Sequence, residues 1–147
     1  MSVEQRFATS SGFMLARLGA EARRLWTRML GEHDLTAAQF GVLMGLDALG
    51  ESYQQRLSGF VGIDPRNVVP VVDALRERGL IVRAPDPDDR RRQLLRLSLP
   101  GRRLVDRLRS AGTVIEDELL GGLSIRERTA LNRLLGKLFE SVYGGSE

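Results

Sequence analysis

The chain has 147 residues, enough for one domain with a hydrophobic core, and its formal net charge is +3 at pH 7. It contains no cysteine and a single histidine, His33, which excludes disulfide frameworks, thiolate zinc sites and thiol-based redox sensing. The N-terminus lacks the basic-then-apolar pattern of a signal peptide, and no apolar run approaches membrane-spanning length. We therefore expect a soluble, cytoplasmic protein that binds no metal, cofactor or membrane.

The positive charge is concentrated in one part of the chain. Residues 52–96 contain nine arginines and six acidic residues, whereas the two flanks together hold 13 basic and 13 acidic residues. The whole excess therefore lies in one segment, as expected where a protein binds nucleic acid. The chain has no glycine-rich phosphate loop between a strand and a helix, and no carboxylate pair at metal-site spacing. We therefore predict that it is not an enzyme.

The first predicted element is one long helix over residues 3–30. Its apolar residues recur at intervals of three or four and form one stripe, made of Met14, Leu18, Ala22, Leu25 and Met29. Trp26 lies beside this stripe. Packing at a helix junction is the favoured interpretation of Trp26, and the alternative is that it lines a pocket for an aromatic ligand.

A second helix is predicted to begin after Thr36. Thr36 and Gln39 have the spacing of a capping box, and Gly50 is placed to close the helix. Its apolar residues are Phe40, Leu43, Leu46 and Leu49.

Residues 53–61 should form a short third helix, followed by a turn at Gly62. Gly59 should weaken this helix by up to about 1 kcal/mol relative to alanine. Phe60 is interpreted either as a core residue or as a partly exposed pocket wall.

A fourth helix, over residues 65–78, has strong signals at both ends. Asp64 is a favoured N-cap, and a glycine at position 79 can end the helix in the left-handed conformation. The face that points to the core is formed by Val68, Val72 and Leu75. Pro70 should bend the helix at a cost of roughly 3 kcal/mol if uncompensated. We favour a mild, tolerated bend over a bend that re-aims the outward side chains.

The next segment, residues 80–98, is predicted to be a β-hairpin. Leu80 to Arg83 would form one strand, and the returning strand would carry Leu94, Leu95, Leu97 and Leu99. The turn-rich stretch between them leads to Arg90, Arg91 and Arg92 at the tip, and one of the nearby aspartates, Asp89, should pair with an arginine to hold the loop. A merely solvated charged hairpin is the alternative, and the capped helix before it makes that alternative weaker.

Two more helices should follow. Ser98 is placed to cap the first, which Gly121 and Gly122 end, and Ser124 with Glu127 forms a second capping box. Both helices carry leucine-rich faces that neither can bury alone. We therefore predict a mainly α protein with a small β wing. Residues 1–34 and 99–147 would form a helical dimerisation region, and residues 35–98 a winged helix-turn-helix region that binds DNA.

These motifs resemble those of the MarR family of winged helix-turn-helix transcriptional regulators. The matching segments are LTAAQF at 35–40, Asp64 with Val68, VDAL at 72–75, RGLI at 78–81, DPDDRR at 86–91, LRLS at 95–98 and Gly101-Arg102. The resemblance covers essentially the whole chain, and the Asp-x-Arg of the wing, Asp89 and Arg91, is its most specific part. The chain departs from the family pattern at Pro70 and at Ser58-Gly59-Phe60.

The resemblance implies a sequence-specific regulator that binds an inverted-repeat operator as a homodimer. Of the possible modes of regulation, repression is the one we favour. The helix at 65–78 would be the recognition helix, and Arg91 would enter the minor groove. The predicted DNA contacts are Arg66, Asn67 and Val69 of this helix, Arg90, Arg91 and Arg92 of the wing, and Gln54, Gln55 and Arg56 of the preceding helix. Arg66 and Asn67 should read bases, since arginine pairs well with guanine and asparagine with adenine.

The resemblance also implies regulation by a small molecule. Many members of the family release DNA when a small aromatic acid or phenol binds in a cleft between the dimerisation and winged parts. The candidates for this cleft, chosen by their positions in the sequence alone, are Trp26, Phe40, Arg17 and Arg24. Two alternatives remain open for the chain as a whole: a winged-helix module that binds an acidic protein, and a DNA-binding protein without sequence preference.

Overall fold

The computed structural model describes residues 3–144, apart from the side chains of Glu4 and Phe7. The ends of the predicted dimerisation region, residues 1–2 and 145–147, therefore lie outside the description. The elements in chain order are α1 (Val3–Ala8), α2 (Ser11–Glu32), α3 (Ala37–Leu49), β1 (Ser52–Tyr53), α4 (Gln54–Val61), α5 (Pro65–Glu77), β2 (Ile81–Pro85), β3 (Gln93–Leu97), α6 (Leu99–Leu120) and α7 (Ile125–Tyr143). The predicted mainly α class with a small sheet is confirmed.

The chain forms two compact units that meet in sequence between Gly112 and Thr113. The first contains α1 to β3 and most of α6, and the second contains the end of α6 and α7. Within residues 3–144, no helix is both long and apolar enough to cross a membrane.

The N-terminal segment is two helices, so the prediction of one helix over residues 3–30 is wrong. Ser10 has an extended backbone, and its hydroxyl accepts the N–H of Phe13 at 3.3 Å, which makes it the N-cap of α2. The Thr9 hydroxyl donates to the carbonyl of Gln5 at 3.0 Å. Short hydroxyl side chains compete with the helical backbone in this way, and here two in succession separate α1 from α2.

The capping signals between α2 and α3 act as the sequence indicates. The Thr36 hydroxyl accepts the N–H of Gln39 at 3.1 Å, and the Gln39 side chain accepts the N–H of Thr36 at 3.0 Å. Gly50 closes α3 with a φ of 72°. The predicted turn after α4 is also present, with Gly62 at a φ of 71°.

Three strands form an antiparallel sheet in the order β1-β3-β2. In the chain, β1 precedes α4, and β2 and β3 follow α5. Ser52 pairs with Leu95, and Ile81 pairs with Leu97. One predicted boundary changes as a result, because Tyr53 pairs with Leu94 and belongs to β1 and not to the helix. Leu99 opens α6, as the predicted helical region from residue 99 requires, and does not continue the returning strand.

Helix α5 ends in a Schellman motif. Gly79 has a φ of 70°, and its N–H donates to the carbonyl of Arg76 at 2.9 Å. The N–H of Leu80 donates to the carbonyl of Leu75 at 3.0 Å, which is the second bond of the motif. The helix continues through Pro70, whose side chain is exposed, so the proline is accommodated without ending α5.

The core of the first unit is built around α3. Helices α2, α4, α5 and α6 and the inward faces of β2 and β3 pack their apolar residues there. The most deeply buried side chains are Leu25, Val42, Leu43, Leu46, Leu57, Val68, Val72, Leu75, Ile81, Leu95, Val105 and Leu108. The predicted core face of α5 is therefore confirmed.

Ser98 joins the end of α5 to the start of α6. Its hydroxyl accepts the N–H of Gly101 at 3.0 Å, which caps α6 as predicted, and donates to the carbonyl of Gly79 at 2.5 Å. The first turn of α6 approaches the chain so closely that a Cβ on Gly101 would lie 2.0 Å from the carbonyl oxygen of Leu80. Only glycine fits this position without a shift of backbone.

In the second unit, α7 begins at the predicted capping box. The Ser124 hydroxyl accepts the N–H of Glu127 at 3.3 Å, and the Glu127 carboxylate accepts the N–H of Ser124 at 2.8 Å. Arg128 donates to Asp117 of α6 at 2.6 Å. None of the residues of α7 is buried, and its exposed apolar residues are Ile125, Leu134, Leu135, Leu138, Phe139, Val142 and Tyr143.

Substitution of two glycines by alanine should have opposite effects on stability. Gly101→Ala should lower the free energy of unfolding by about 2 kcal/mol or more, because the methyl group collides with backbone. Gly59→Ala should raise it by up to about 1 kcal/mol, because Gly59 lies inside α4 and a Cβ there meets open space. Urea unfolding measures both, and a stable Gly101→Ala variant would contradict the close approach.

Candidate nucleic-acid interface

The start of α5 presents polar side chains to solvent. Asp64 caps the helix by accepting the N–H of Arg66 at 2.8 Å, and it also accepts the Arg66 guanidinium through Nε at 3.2 Å and Nη2 at 3.1 Å. These hydrogen bonds from Arg66 lower the pKa of Asp64. The Arg66 side chain is nevertheless 89% exposed, and Asn67 and Val69 are exposed as well. The three residues predicted to read DNA therefore share the solvent side of α5.

The DNA contacts predicted from the preceding helix lie in the first turn of α4. Gln55 and Arg56 are exposed there. Gln54 is half-buried, and its side-chain oxygen accepts Nη2 of Arg83 from β2 at 3.2 Å. Arg83 also lies 3.7 Å from the carboxylate of Asp73 on α5. Sequence reasoning missed Arg83, which connects α4, α5 and the wing.

The tip of the wing is a loop, from Asp86 to Arg92, held by its own backbone. The N–H of Asp86 donates to the carbonyl of Arg92 at 3.0 Å, and the N–H of Arg92 donates to the carbonyl of Asp89 at 2.9 Å. Asp89 was expected to pair with an arginine side chain, but its carboxylate instead accepts the N–H of Arg91 at 3.1 Å. A short aspartate side chain reaches the backbone two residues on more readily than it reaches a guanidinium in solvent. Arg90 and Arg91 are exposed at the tip.

The most buried polar side chain of the wing is Asp86, which is 5% exposed. Its carboxylate accepts the hydroxyl of Tyr53 and, at 2.9 Å, the N–H of Asp88. The hydrogen bond from the Tyr53 hydroxyl to Asp86 raises the pKa of Tyr53. The same bond, together with the N–H of Asp88, lowers the pKa of Asp86. The Arg92 guanidinium carbon lies 3.8 Å from the centroid of the Tyr53 ring, a cation–π distance.

Tyr53 and Asp86 are functional candidates that sequence reasoning did not find. Tyr53 occupies the N-cap position of α4, and its hydroxyl bonds to Asp86 where a cap residue would bond to the helix. Serine, threonine, aspartate or asparagine at that position is worth about 1 kcal/mol to a helix. The sequence places Tyr53 inside the helix predicted over residues 53–61, with Ser52 before it, so no local signal pointed to its contact with Asp86.

Arg78 provides a further contact that the sequence did not reveal. It follows α5, and its guanidinium donates to the carbonyls of Asp34 at 2.7 Å and His33 at 3.2 Å. These carbonyls belong to the turn between α2 and α3, where Asp34 has a φ of 53°. The end of α5 is thus held to the end of α2.

The four candidates for an effector cleft are only partly brought together. The rings of Trp26 and Phe40 lie 5.4 Å apart between centroids, tilted by 51°, and both are half-buried. Arg24 is exposed and donates to Glu21 at 2.6 Å, while Arg17 is exposed earlier on α2. Within residues 3–144, no group of three histidine, aspartate or glutamate side chains is placed to hold a metal ion.

Comparison with known proteins gives a consistent family. The sequence model described as the MarR family matches residues 35–92. A protein of Thauera aromatica, described as a transcriptional regulatory protein for the hcr operon, is 31% identical over 138 residues, which are 93% of this chain and 83% of that protein.

Two solved structures show the same fold. The transcriptional repressor CouR bound to a 23-mer DNA duplex aligns with a TM-score of 0.75 and 33% identity, over 89% of this chain and 93% of CouR. BpsR of Bordetella bronchiseptica, whose DNA binding is regulated by 6-hydroxynicotinic acid, aligns with a TM-score of 0.73 and 30% identity, over 96% and 97% of the two chains.

The hydrogen bonds of Asp86 predict how stability depends on pH. Its pKa in the folded chain lies below the ordinary carboxyl value of about 3.9, so its contribution is complete above that value and is lost as the pH falls through the lowered pKa. Asp86→Asn cannot ionise and should flatten the loss of unfolding free energy between about pH 4 and pH 2. Urea unfolding across this range measures the slope, and an unchanged slope would contradict the assignment.

Proposed function

Because this chain belongs to the MarR family of transcriptional regulators, we propose that it is a repressor that binds an inverted-repeat operator as a homodimer in the cytoplasm. Members of the family are transcriptional regulators and not enzymes, as the sequence predicts for this chain. The observation that carries the proposal is the capped start of α5, where Arg66 and Asn67 face solvent in the same unit as an arginine-bearing wing.

Direct readout is assigned to the start of α5. The Arg66 guanidinium can donate to guanine O6 and N7, and the Asn67 amide can pair with adenine. Val69, which is 41% exposed, can contact a thymine methyl group.

The wing and α4 are assigned mainly to the DNA backbone. Arg91 would enter the minor groove and respond to its width, with Arg90 and Arg92 near phosphates. Arg56, Gln54 and Gln55 would contact phosphates from the first turn of α4. Contacts of this kind make affinity fall steeply with salt.

Homodimerisation is supported by the exposed apolar residues of both units. In the first unit, α2 exposes Met14, Leu15 and Leu18, and in the second, α7 exposes a leucine-rich face. Surfaces of this kind are characteristic of protein interfaces. A two-fold dimer would place its recognition helices about 34–36 Å apart, one turn of DNA.

A small aromatic effector is the proposed regulator. The contact between Trp26 and Phe40 provides an aromatic surface, and Arg17 and Arg24 on α2 are the candidates to attract a carboxylate. The regulation of BpsR by 6-hydroxynicotinic acid shows that a structural relative responds to an aromatic acid. An effector would act by its different affinities for the DNA-binding and released forms.

Selection of duplexes from a random pool tests the proposed function. At near-physiological salt we expect a pseudo-palindromic motif with half-sites one helical turn apart. Arg66→Ala should relax preference at one base of each half-site and cost about 1–3 kcal/mol there, whereas Arg103→Ala on α6 should leave the motif unchanged. Retention without an enriched motif would instead support a non-specific DNA binder, and no retention would support a protein-binding module.

Leu138→Glu tests the dimer. Leu138 is 52% exposed on α7, and a carboxylate buried between two copies would be unpaired. Sedimentation velocity should show the parent chain as a dimer and the variant shifted to monomer. Lys137→Glu places the same charge on the adjacent exposed position and should remain dimeric. A Leu138→Glu variant as dimeric as the parent would rule out this face as the interface.

A further inference from the structure

We propose that Tyr53 is a positioning residue for DNA binding, which holds the wing tip in the conformation that presents Arg90 and Arg91. We call Tyr53, Asp86 and Arg92 the wing latch. The proposal rests on the function proposed above, because it assigns how the DNA-contacting wing is held and not whether the wing contacts DNA.

The wing latch joins the base of the loop to the start of the helix-turn-helix. Tyr53 lies in β1, directly before α4, while Asp86 and Arg92 are the two ends of the loop between β2 and β3. The N–H of Asp86 donates to the carbonyl of Arg92 at 3.0 Å, so the two wing residues are themselves paired. Tyr53 contacts both, through its hydroxyl to Asp86 and through its ring to Arg92.

Burial of Asp86 makes the Tyr53 hydroxyl necessary. A carboxylate that is 5% exposed must be hydrogen-bonded, since an unpaired buried charge is strongly destabilising. Its protein partners are the Tyr53 hydroxyl, which is the only side-chain donor among them, and the N–H groups of Asp88 and Asp89, with the Arg92 guanidinium nearby. Without the Tyr53 hydroxyl, the Asp86 carboxylate would need a hydrogen bond from water in its place. Water can reach the carboxylate only if the loop opens.

The position of Tyr53 supports a role beyond helix formation. The N-cap of α4 favours a short polar side chain, and tyrosine gives up that bond. Residues that break a local rule are expected where another requirement is stronger. Here the aromatic ring reaches a wing residue 33 positions later, which a serine or threonine could not do.

A fixed wing tip changes the energetics of DNA binding. Arg92 over the Tyr53 ring has a restricted orientation, whereas Arg90 and Arg91 are exposed on the loop that the wing latch closes. A loop that is ordered before binding does not lose that conformational entropy when it enters a groove. Loss of the wing latch should therefore weaken the contribution of Arg91 without removing its side chain.

The first arm of the test uses the free, full-length protein. Tyr53→Phe keeps the ring and removes the hydroxyl, and Tyr143→Phe on α7 is the matched control. NMR hydrogen exchange should become at least about tenfold faster at the amides of Asp86 and Arg92 in Tyr53→Phe, and remain unchanged at Val105 in the core. The control should exchange as the parent does. Unchanged exchange at Asp86 and Arg92 would overturn the wing latch.

The second arm is a double-mutant cycle on DNA affinity. The probe is the duplex recovered by selection, or a mixed-sequence duplex if none is enriched. Tyr53→Phe should weaken binding about tenfold, and Arg91→Ala should cost much less in the Tyr53→Phe chain than in the parent. Additive losses would overturn the proposal, because Tyr53 would then act apart from the wing. An Arg91→Ala variant that binds as the parent does would refute the proposed wing contact, while the exchange arm still decides whether Tyr53 holds the loop.

Discussion

The pairing of β3 with two strands from opposite ends of the helix-turn-helix is the constraint on which the first unit depends. β1 leads into α4, and β2 follows α5 after the Schellman turn. Because β3 pairs with both strands, it fixes the position of the wing relative to both helices. Ser98 extends this arrangement, because one hydroxyl bonds to the carbonyl of Gly79 and caps α6. A change at the sheet would therefore alter the start of α4, the end of α5 and the start of α6 together.

The sequence predicted the helices whose ends carry local signals. The capping boxes at Thr36 and Ser124 and the Schellman motif at Gly79 each involve residues within a few positions of one another. Their chemistry is therefore visible without knowledge of the fold. The core face of α5 was equally readable, because helical periodicity alone brings its valines and Leu75 to one side.

The features that were missed depend on partners distant in sequence. β1 has only two residues and no periodicity of its own, and it becomes a strand because it pairs with Leu94 and Leu95. The contact between Tyr53 and Asp86 spans 33 positions. The break at Ser10 had a local signal, a hydroxyl residue with capping chemistry, but the apolar stripe that continues beyond it favoured one helix. A conflict between a local signal and a periodic one is thus a second reason for failure, beside the dependence on distant partners.

The contacts of Arg78 limit how an effector could communicate with DNA. Arg78 fastens the end of α5 to the carbonyls of His33 and Asp34, at the end of the helix that carries Trp26. Two charge-assisted hydrogen bonds to backbone make α2 and α5 resist separate movement at this point. A ligand beside Trp26 that displaced the end of α2 would therefore move α5 as a rigid body or break these bonds. Either route requires the ligand to favour one arrangement of α2 over the other, because binding both equally would shift nothing.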